Sequence, residues 1–477
     1  MTFNTLVIMS DEHNRAIAGC YGNEIASTPN IDALAARGTN FTNAYCNSPI
    51  CVPSRASFQT GLYVHDIGFW DNAMPYDGSV QGWGHALQAA ERPVVSIGKL
   101  HYRRAGDPYG FDEEIAPIYV KDGIGDLTTL LRKEPMERAG MEKMSSEAGA
   151  GDSPYWAFDS GVAERAGNWL KSKGTADGPP WTLFVSFVMP HFPLLAPEQF
   201  FRLYEDAAIP PPKLRDTYVP ENRTMAVLRE VLSYDRHFHD EAAVRRAVAG
   251  YYGIVSALDH NVGRVLAALE EAGLGETTRV IYTSDHGDNV GARGYWGKST
   301  MWEESVGVPM IMAGPDIASG TKCTTPVSLV DLHSTIIDWA DVPDVSDGRQ
   351  RPGRSLTDIA LGVDADRAVF SEYHAVGSAT GIFMIRKDRW KLIECVGDTP
   401  ILYDLHSDPE ELTNLAADPA YAEILKACRE ELSDIVDPAA ATARAFDEQA
   451  KMVERVGGEE VIRASSPIPY TIPPTLG

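Results

Sequence analysis

Short apolar runs recur along the chain, each followed by a stretch with helical spacing. This alternation limits the fold more than any other feature. Residues 6–9, 94–97, 183–188, 280–283 and 309–312 are apolar almost throughout. Runs of that kind suit strands buried on both faces, as parallel strands are. Between them, residues 31–37 read as a helix with Gly38 as its C-cap. Residues 241–273 form the longest helical pattern, with Val248, Tyr252, Val255, Leu258, Val262 and Val265 on its apolar stripe. The expectation is an α/β fold with a large mixed, mostly parallel sheet between helices.

The pattern changes after about residue 365. Residues 369–373, 381–385, 390–395 and 401–405 read as short strands, and a helix follows over 421–435. Clustered strands before a helix predict a small antiparallel α+β domain. The expected organisation is a catalytic α/β domain over 1–365, a small C-terminal domain over 366–442, and an extension over 443–477. That extension holds one helical stretch and a proline-rich end, and is expected to wrap its own subunit or a neighbour in a dimer or tetramer. Residues 110–159 read as polar insertion loops.

Charge and cysteine usage remove several functions. The formal charge of −25 opposes binding to nucleic acid or to anionic membranes. No segment reaches the ~20 apolar residues that span a bilayer. The opening Met1-Thr2-Phe3-Asn4 lacks a basic stretch leading into an apolar one. A cytoplasmic protein is expected. Cys20, Cys46, Cys51, Cys323, Cys395 and Cys428 are too scattered for a disulfide framework.

Two acidic clusters fall at the ends of expected strands, where α/β sheets bind ligands. One is Asp11-Glu12-His13 and the other Asp285-His286-Gly287-Asp288. Taken alone, each fits an Asx turn. Together, Asp11, Glu12, Asp285 and His286 make a candidate cation site. Carboxylates suit Ca²⁺, Mg²⁺ or Mn²⁺, and a histidine tilts the choice toward Mn²⁺ or a tolerant Ca²⁺ site. Between the clusters lies Cys51-Val52-Pro53-Ser54-Arg55, followed by Thr60-Gly61. Pro53 suits the first turn of a helix and Gly61 its end. Cys51 then lies at a helix N-terminus, where negative charge is favoured. Arg55, one turn on, can point back and hold an oxyanion.

This segment resembles the signature of type I sulfatases, in the alkaline phosphatase superfamily. Val52 and Gln59 depart from its usual residues; Cys51, Pro53 and Arg55 do not. Gly98-Lys99-Leu100-His101, Met189-Pro190-His191-Phe192-Pro193, Thr283-Ser284-Asp285-His286-Gly287-Asp288 and Gly294-Tyr295-Trp296-Gly297-Lys298 resemble further family segments, in order. The likeness covers about residues 4–315, and more loosely Leu402-Tyr403-Asp404-Leu405 with Asp408-Pro409-Glu410-Glu411.

The resemblance implies an alkaline-phosphatase-like fold and hydrolysis of aryl or small alkyl sulfate monoesters to alcohol and sulfate. It implies a maturation enzyme that converts Cys51 to formylglycine. It also implies one divalent metal, Ca²⁺ ahead of Mn²⁺, on Asp11, Glu12, Cys51, Asp285 and His286. Catalytic residues carried over are Cys51, Arg55, Lys99, His101, His191 and Lys298. The hydrated aldehyde at 51 attacks sulfur, Asp285 takes its proton, and His191 or Lys298 protonates the leaving oxygen. His101 assists release of sulfate, and Arg55 and Lys99 grip the sulfuryl oxygens. Glu12 stands where the family usually has Asp, and His286 where many members have Asn. A His at 286 also occurs in phosphonate monoester hydrolases, the first rival reading; Lys99 and His101 favour the sulfatase. Two weaker rivals are a non-catalytic scaffold with unconverted Cys51 and an enzyme whose nucleophile is Ser54. Trp70, Tyr155, Trp156, Tyr295, Trp296, Trp302 and Asn72 are candidates to line the substrate pocket.

Overall fold

The computed structural model describes residues 3–132, 135–136, 140–173, 178–465, 471 and 473–474. Five strands of its main sheet grow from the apolar runs. In chain order the strands are β1 (Asn4–Asp11), β2 (Gly38–Phe41), β3 (Val94–Lys99), β4 (Glu113–Ile118), β5 (Thr182–Pro190), β6 (Thr278–Ser284), β7 (Met310–Ala313) and β8 (Thr321–Cys323). Across the sheet they run β8-β2-β7-β6-β1-β5-β3-β4. Leu6, Val7, Ile8 and Met9 of β1 are fully buried, each worth about 1.5–3 kcal/mol of transfer free energy. β5 and β6 flank β1 in parallel. The carboxyl ends of these three strands therefore share one edge, the usual place for a site in such sheets.

Three expectations change. β7 is antiparallel to both β6 and β2, not parallel. A buried strand reads as an apolar run in either direction. Gly38 does not cap the first helix, α1 (Pro29–Ala36), whose cap is Arg37. It opens β2, where a Cβ would lie 2.1 Å from the Met312 carbonyl oxygen. The α1 N-terminus is instead closed from afar, by Asp259 accepting the Asn30 and Ile31 N–H groups. Residues 110–159 are not all loop. They contain β4, a half-exposed edge strand with too few apolar residues to stand out, and the first turns of a helix that starts at Pro154.

The remaining helices used below are α2 (Cys51–Thr60), α3 (Pro154–Lys173), α4 (Glu241–Glu271), α5 (Ala422–Ile435) and α6 (Pro438–Arg455). The small C-terminal sheet is as expected: β9 (Ala368–Tyr373), β10 (Ile382–Lys387), β11 (Trp390–Cys395) and β12 (Ile401–Asp404), antiparallel in chain order. α5 covers it through Cys428 and Leu432, against Phe370, Phe383, Ile385 and Leu392. α6 runs straight through residue 442, so a boundary there divides a helix. Its Ala445 packs on Val64 and Trp70, so the extension wraps its own chain. Most of the proline-rich end lies outside the described residues. Among the described residues, no helix is long and apolar enough to cross a membrane.

Candidate active site

Cys51 is the first residue of α2, with Ile50 as an N-cap that offers no side-chain acceptor. Gly61 ends the helix at φ 70°, where an added Cβ would strike His333 at 2.6 Å. The free end of α2 faces the carboxyl ends of β1 and β6. Cys51 Sγ lies 3.2 Å from His286 Nε2, 3.1 Å from Lys298 Nζ and 3.7 Å from Asp11 Oδ1. Burial and the Asp11 charge push the Cys51 thiol up to about 12.

One ligand atom from each of Asp11, Cys51, Asp285 and His286 lies within 4.8 Å of the others, and all four residues are buried. The second oxygens of the two carboxylates are held elsewhere. Asp11 Oδ2 is paired with Lys99 and lies 3.4 Å from Arg55, and Asp285 Oδ2 takes Arg55 Nε at 2.7 Å. His286 Nδ1, 3.0 Å from the Gly287 carbonyl, donates to it and so leaves Nε2 as an acceptor facing the cluster. Two oxygens, an imidazole nitrogen and residue 51 fit a divalent cation.

Glu12 falls in a second group of possible ligands, which shares Asp11 with the first. It groups with Asp11 and His191, not with Cys51, Asp285 and His286. Its Oε2 lies 3.1 Å from Lys298 Nζ and 3.4 Å from His191 Nε2, while Oε1 is buried without a partner among the described residues. Glu12 follows the end of β1 and sits at φ 72°, a strained left-handed position of the kind found at functional sites. Tyr251 of α4 clamps that turn, donating to the Glu12 carbonyl at 2.6 Å and accepting from the Asn14 N–H at 2.9 Å.

The family resemblance implies that Arg55 holds the aldehyde hydrate and the sulfuryl oxygens; in the structure its donors go to Asp285, Asp11, the Lys99 carbonyl and Ser186 Oγ. It orients the carboxylates and does not line the cleft. Lys99, His101, His191 and Lys298 do line it, with Glu12 and Cys51. Burial alone would raise the Asp11 carboxyl, but Lys99, His191, Lys298 and Arg55 hold it well below its ordinary value. Burial and Lys298 lower His191, and burial and Lys99 lower His101. Burial would lower Lys298, but Cys51, Glu12 and Asp11 raise it well above.

The sulfatase family profile matches residues 4–342. The chain belongs to the sulfatase family. A second profile, the C-terminal part of N-sulphoglucosamine sulphohydrolase, matches residues 291–437. The sulfatase is 34% identical over 430 residues to the choline-sulfatase of Rhizobium meliloti (strain 1021), covering 87% of this chain and 83% of that protein. It is 27% identical over 459 residues to arylsulfatase K of Bos taurus, covering 91% and 82%. The fold matches phosphonate monoester hydrolase of Agrobacterium radiobacter at a TM-score of 0.73 and 23% identity, over 91% of this chain and 95% of that one. The protein is a sulfuric ester hydrolase, and its family implies a formylglycine and a divalent metal.

Of the aromatic candidates, only Tyr155 and Trp296 line this sulfatase's cleft, and Asn72 joins them. Trp70, Tyr295 and Trp302 are core, and Trp156 packs on Phe200. Ser54 donates to the Asp285 carbonyl at 2.5 Å and does not line the cleft, which removes it as the nucleophile. Met144, Phe192, Leu232, Tyr234 and Thr471 complete much of the wall. Thr471 went unread in the sequence. Its Oγ1 is 3.3 Å from His101 Nε2, and its carbonyl accepts the Tyr155 hydroxyl at 2.8 Å. A lone threonine in a proline-rich tail carries no sequence signal for such a role.

Proposed function

We propose that this sulfatase hydrolyses small aryl or alkyl sulfate esters, with residue 51 as formylglycine and one divalent ion, Ca²⁺ ahead of Mn²⁺. The observation that carries the reading is the convergence of His286 Nε2 and Lys298 Nζ within 3.2 Å of Cys51 Sγ, beside Asp11. Asp11, Asp285, His286 and residue 51 would hold the ion, which supplies Lewis-acid charge that favours an ionised hydroxyl nucleophile at 51. Arg55 keeps the two aspartates in register. Lys99 and Lys298 supply positive charge for the sulfuryl oxygens. His191 Nδ1 donates to the Phe192 carbonyl at 2.8 Å, so Nε2 is turned to the cleft, where the doubly protonated imidazole, or Lys298, hands a proton to the leaving oxygen. His101 removes a proton from the second hydroxyl at residue 51.

Charge supports a small monoanionic substrate. Asp11, Glu12 and Asp285 oppose Arg55, Lys99 and Lys298, so a divalent ion leaves the site positive inside a protein of −25. A polyanionic glycan would meet that long-range charge along its whole length. The wall of Phe192, Tyr155, Tyr234 and Trp296 suits a compact alcohol, and the relative named choline-sulfatase points the same way. A cytoplasmic setting, a formylglycine-generating partner and a homo-oligomer belong to the same proposal.

The test weighs tryptic peptide 38–55 from protein co-expressed with the maturation enzyme. We expect sulfur replaced by oxygen at residue 51, with an aldehyde that traps hydrazide. Matched aryl sulfate and aryl phosphonate esters, with choline sulfate as a third probe, then rank the substrates. Retention of both thiols defeats the proposal; a higher kcat/KM on the phosphonate transfers it to the rival hydrolase.

A further inference from the structure

β5 parts from one neighbour and slips against the other just before it delivers His191. Its pairing with β3 ends at Ser186, opposite Gly98. Its pairing with β1 slips: Met9 faces Ser186 and Asp11 faces Pro190, so residues 187–189 lie opposite Ser10 alone. Bulges of this kind re-aim side chains next to active sites. They also free backbone N–H groups, which need another acceptor inside a core.

Asp159 of α3 is that acceptor. Its Oδ1 and Oδ2 lie 2.9 and 3.1 Å from the Val188 nitrogen, and Oδ2 takes the Met189 N–H at 2.8 Å. The side chain is fully buried and does not line the cleft. Tyr155, four residues earlier, meets the His191 ring edge-on at a centroid distance of 6.0 Å. Residues at i and i+4 share a helix face, so one face of α3 supports both the imidazole and the backbone that carries it. The imidazole's own contacts, Nδ1 to the Phe192 carbonyl and Nε2 toward Glu12, orient the ring but do not locate the strand end.

We infer that Asp159 is a positioning residue for His191: its carboxylate replaces the missing sheet ladder and fixes the bulge that aims the imidazole into the cleft. The inference rests on the leaving-group role assigned to His191 above. A carboxylate that merely stabilised the fold would change how much enzyme is folded, and would lower turnover of every substrate equally. A positioning residue costs most where the proton matters most, on esters with poor leaving groups.

The experiment uses the matured, metal-loaded enzyme with 4-nitrophenyl sulfate and phenyl sulfate. Variants are D159A, D159N, H191A and D159A/H191A, each checked for folding by circular dichroism. We expect D159A to lower kcat on phenyl sulfate by about 100-fold, and by about 10-fold less on the nitrophenyl ester. D159N recovers most of the loss, because its amide oxygen still accepts from Val188 and Met189. Burial already pushes the Asp159 carboxyl up to about 7, so the neutral amide suits the site. In the H191A background D159A adds less than about twofold. Equal losses on both esters with full additivity overturn the inference. If H191A alone shows no leaving-group dependence, the acid role of His191 fails, and the coupling between the two substitutions still decides Asp159.

Discussion

Two buried clusters of charge serve opposite ends in this molecule. At the strand ends, Asp11, Glu12 and Asp285 meet Arg55, Lys99 and Lys298. At the junction with the small sheet, Glu303, Glu304 and Glu411 meet Arg15, Lys213, Arg293 and Lys391. The strand-end side chains are the more deeply buried, while Arg15, Lys213, Glu303 and Glu304 keep some exposure. At the junction the charges are paired with one another: Lys391 Nζ sits 2.8 Å from Glu303 and 2.7 Å from Glu411, and Arg15 lies 2.5 Å from Glu303. Burial would raise Glu303, yet Lys391, Arg15 and Arg386 bring it far below its ordinary value. The strand ends are open: Glu12 Oε1 and His101 Nδ1 are buried without partners among the described residues, and four donors converge. Ligand atoms converging on one point within a cleft, rather than charge itself, separate a site from a clasp.

Four substitutions sharpen that contrast, beginning with the largest effect. C51A removes the nucleophile and should lower kcat at least ~1,000-fold, with the melting temperature close to wild type. A melting temperature that collapses with activity would make Cys51 structural. K391A should do the reverse. It takes from the buried Glu411 its ion-pair partner and costs about 3–5 kcal/mol in urea unfolding, while kcat per folded molecule holds; a change in kcat would join the clusters functionally.

Glu372, on β9, ties the small sheet to the catalytic part by accepting from His65 at 2.8 Å and His374 at 2.9 Å. Burial opposes its ionisation, but His65 and His374 hold it at about 2 against an ordinary 4.5. The folded state therefore binds fewer protons than the unfolded chain. The stabilisation present above pH 4.5 drains away as pH falls toward 2. E372Q should flatten the dependence of unfolding midpoint on pH across that window, and an unchanged slope would contradict it. The smallest effect belongs to Y155F, which removes one hydrogen bond to Thr471. About 1 kcal/mol predicts a KM change near fivefold with kcat held, measured on an aryl sulfate; a loss in kcat would make Tyr155 part of the chemistry.

Much of the site was legible because its parts are local. Strand ends carry Asp11 and Asp285, and Pro53 and Gly61 bracket the helix that begins at Cys51. The small sheet was legible for the same reason, since its four strands pair in chain order. What was not legible depends on partners far along the chain. Asp11 and Glu12 look equivalent in sequence, and only the left-handed turn at Glu12 sends one to the donor cluster and the other to Lys298 and His191. Asp159 and Tyr155 lie in a segment read as loop, and no pattern marks a carboxylate that replaces sheet hydrogen bonds. Arg55 meets Asp285 and Asp11, a pairing that its sequence position does not announce, because guanidinium geometry suits a carboxylate and a sulfuryl group equally well.

The sequence by itself determined the α/β class, five strands of the main sheet and the four of the small one, and the residue types that make sulfatase chemistry available. Periodicity, caps and strand-end carboxylates act over a few residues and can be read in order. Tertiary structure decided the direction of β7, the division of the acidic residues between donor cluster and cation pairs, and the arrival of Thr471 beside His101. Those outcomes rest on contacts between residues as far apart as Glu12 and Lys298. Burial makes each such contact strong and selective, while sequence spacing carries no information about which of them forms.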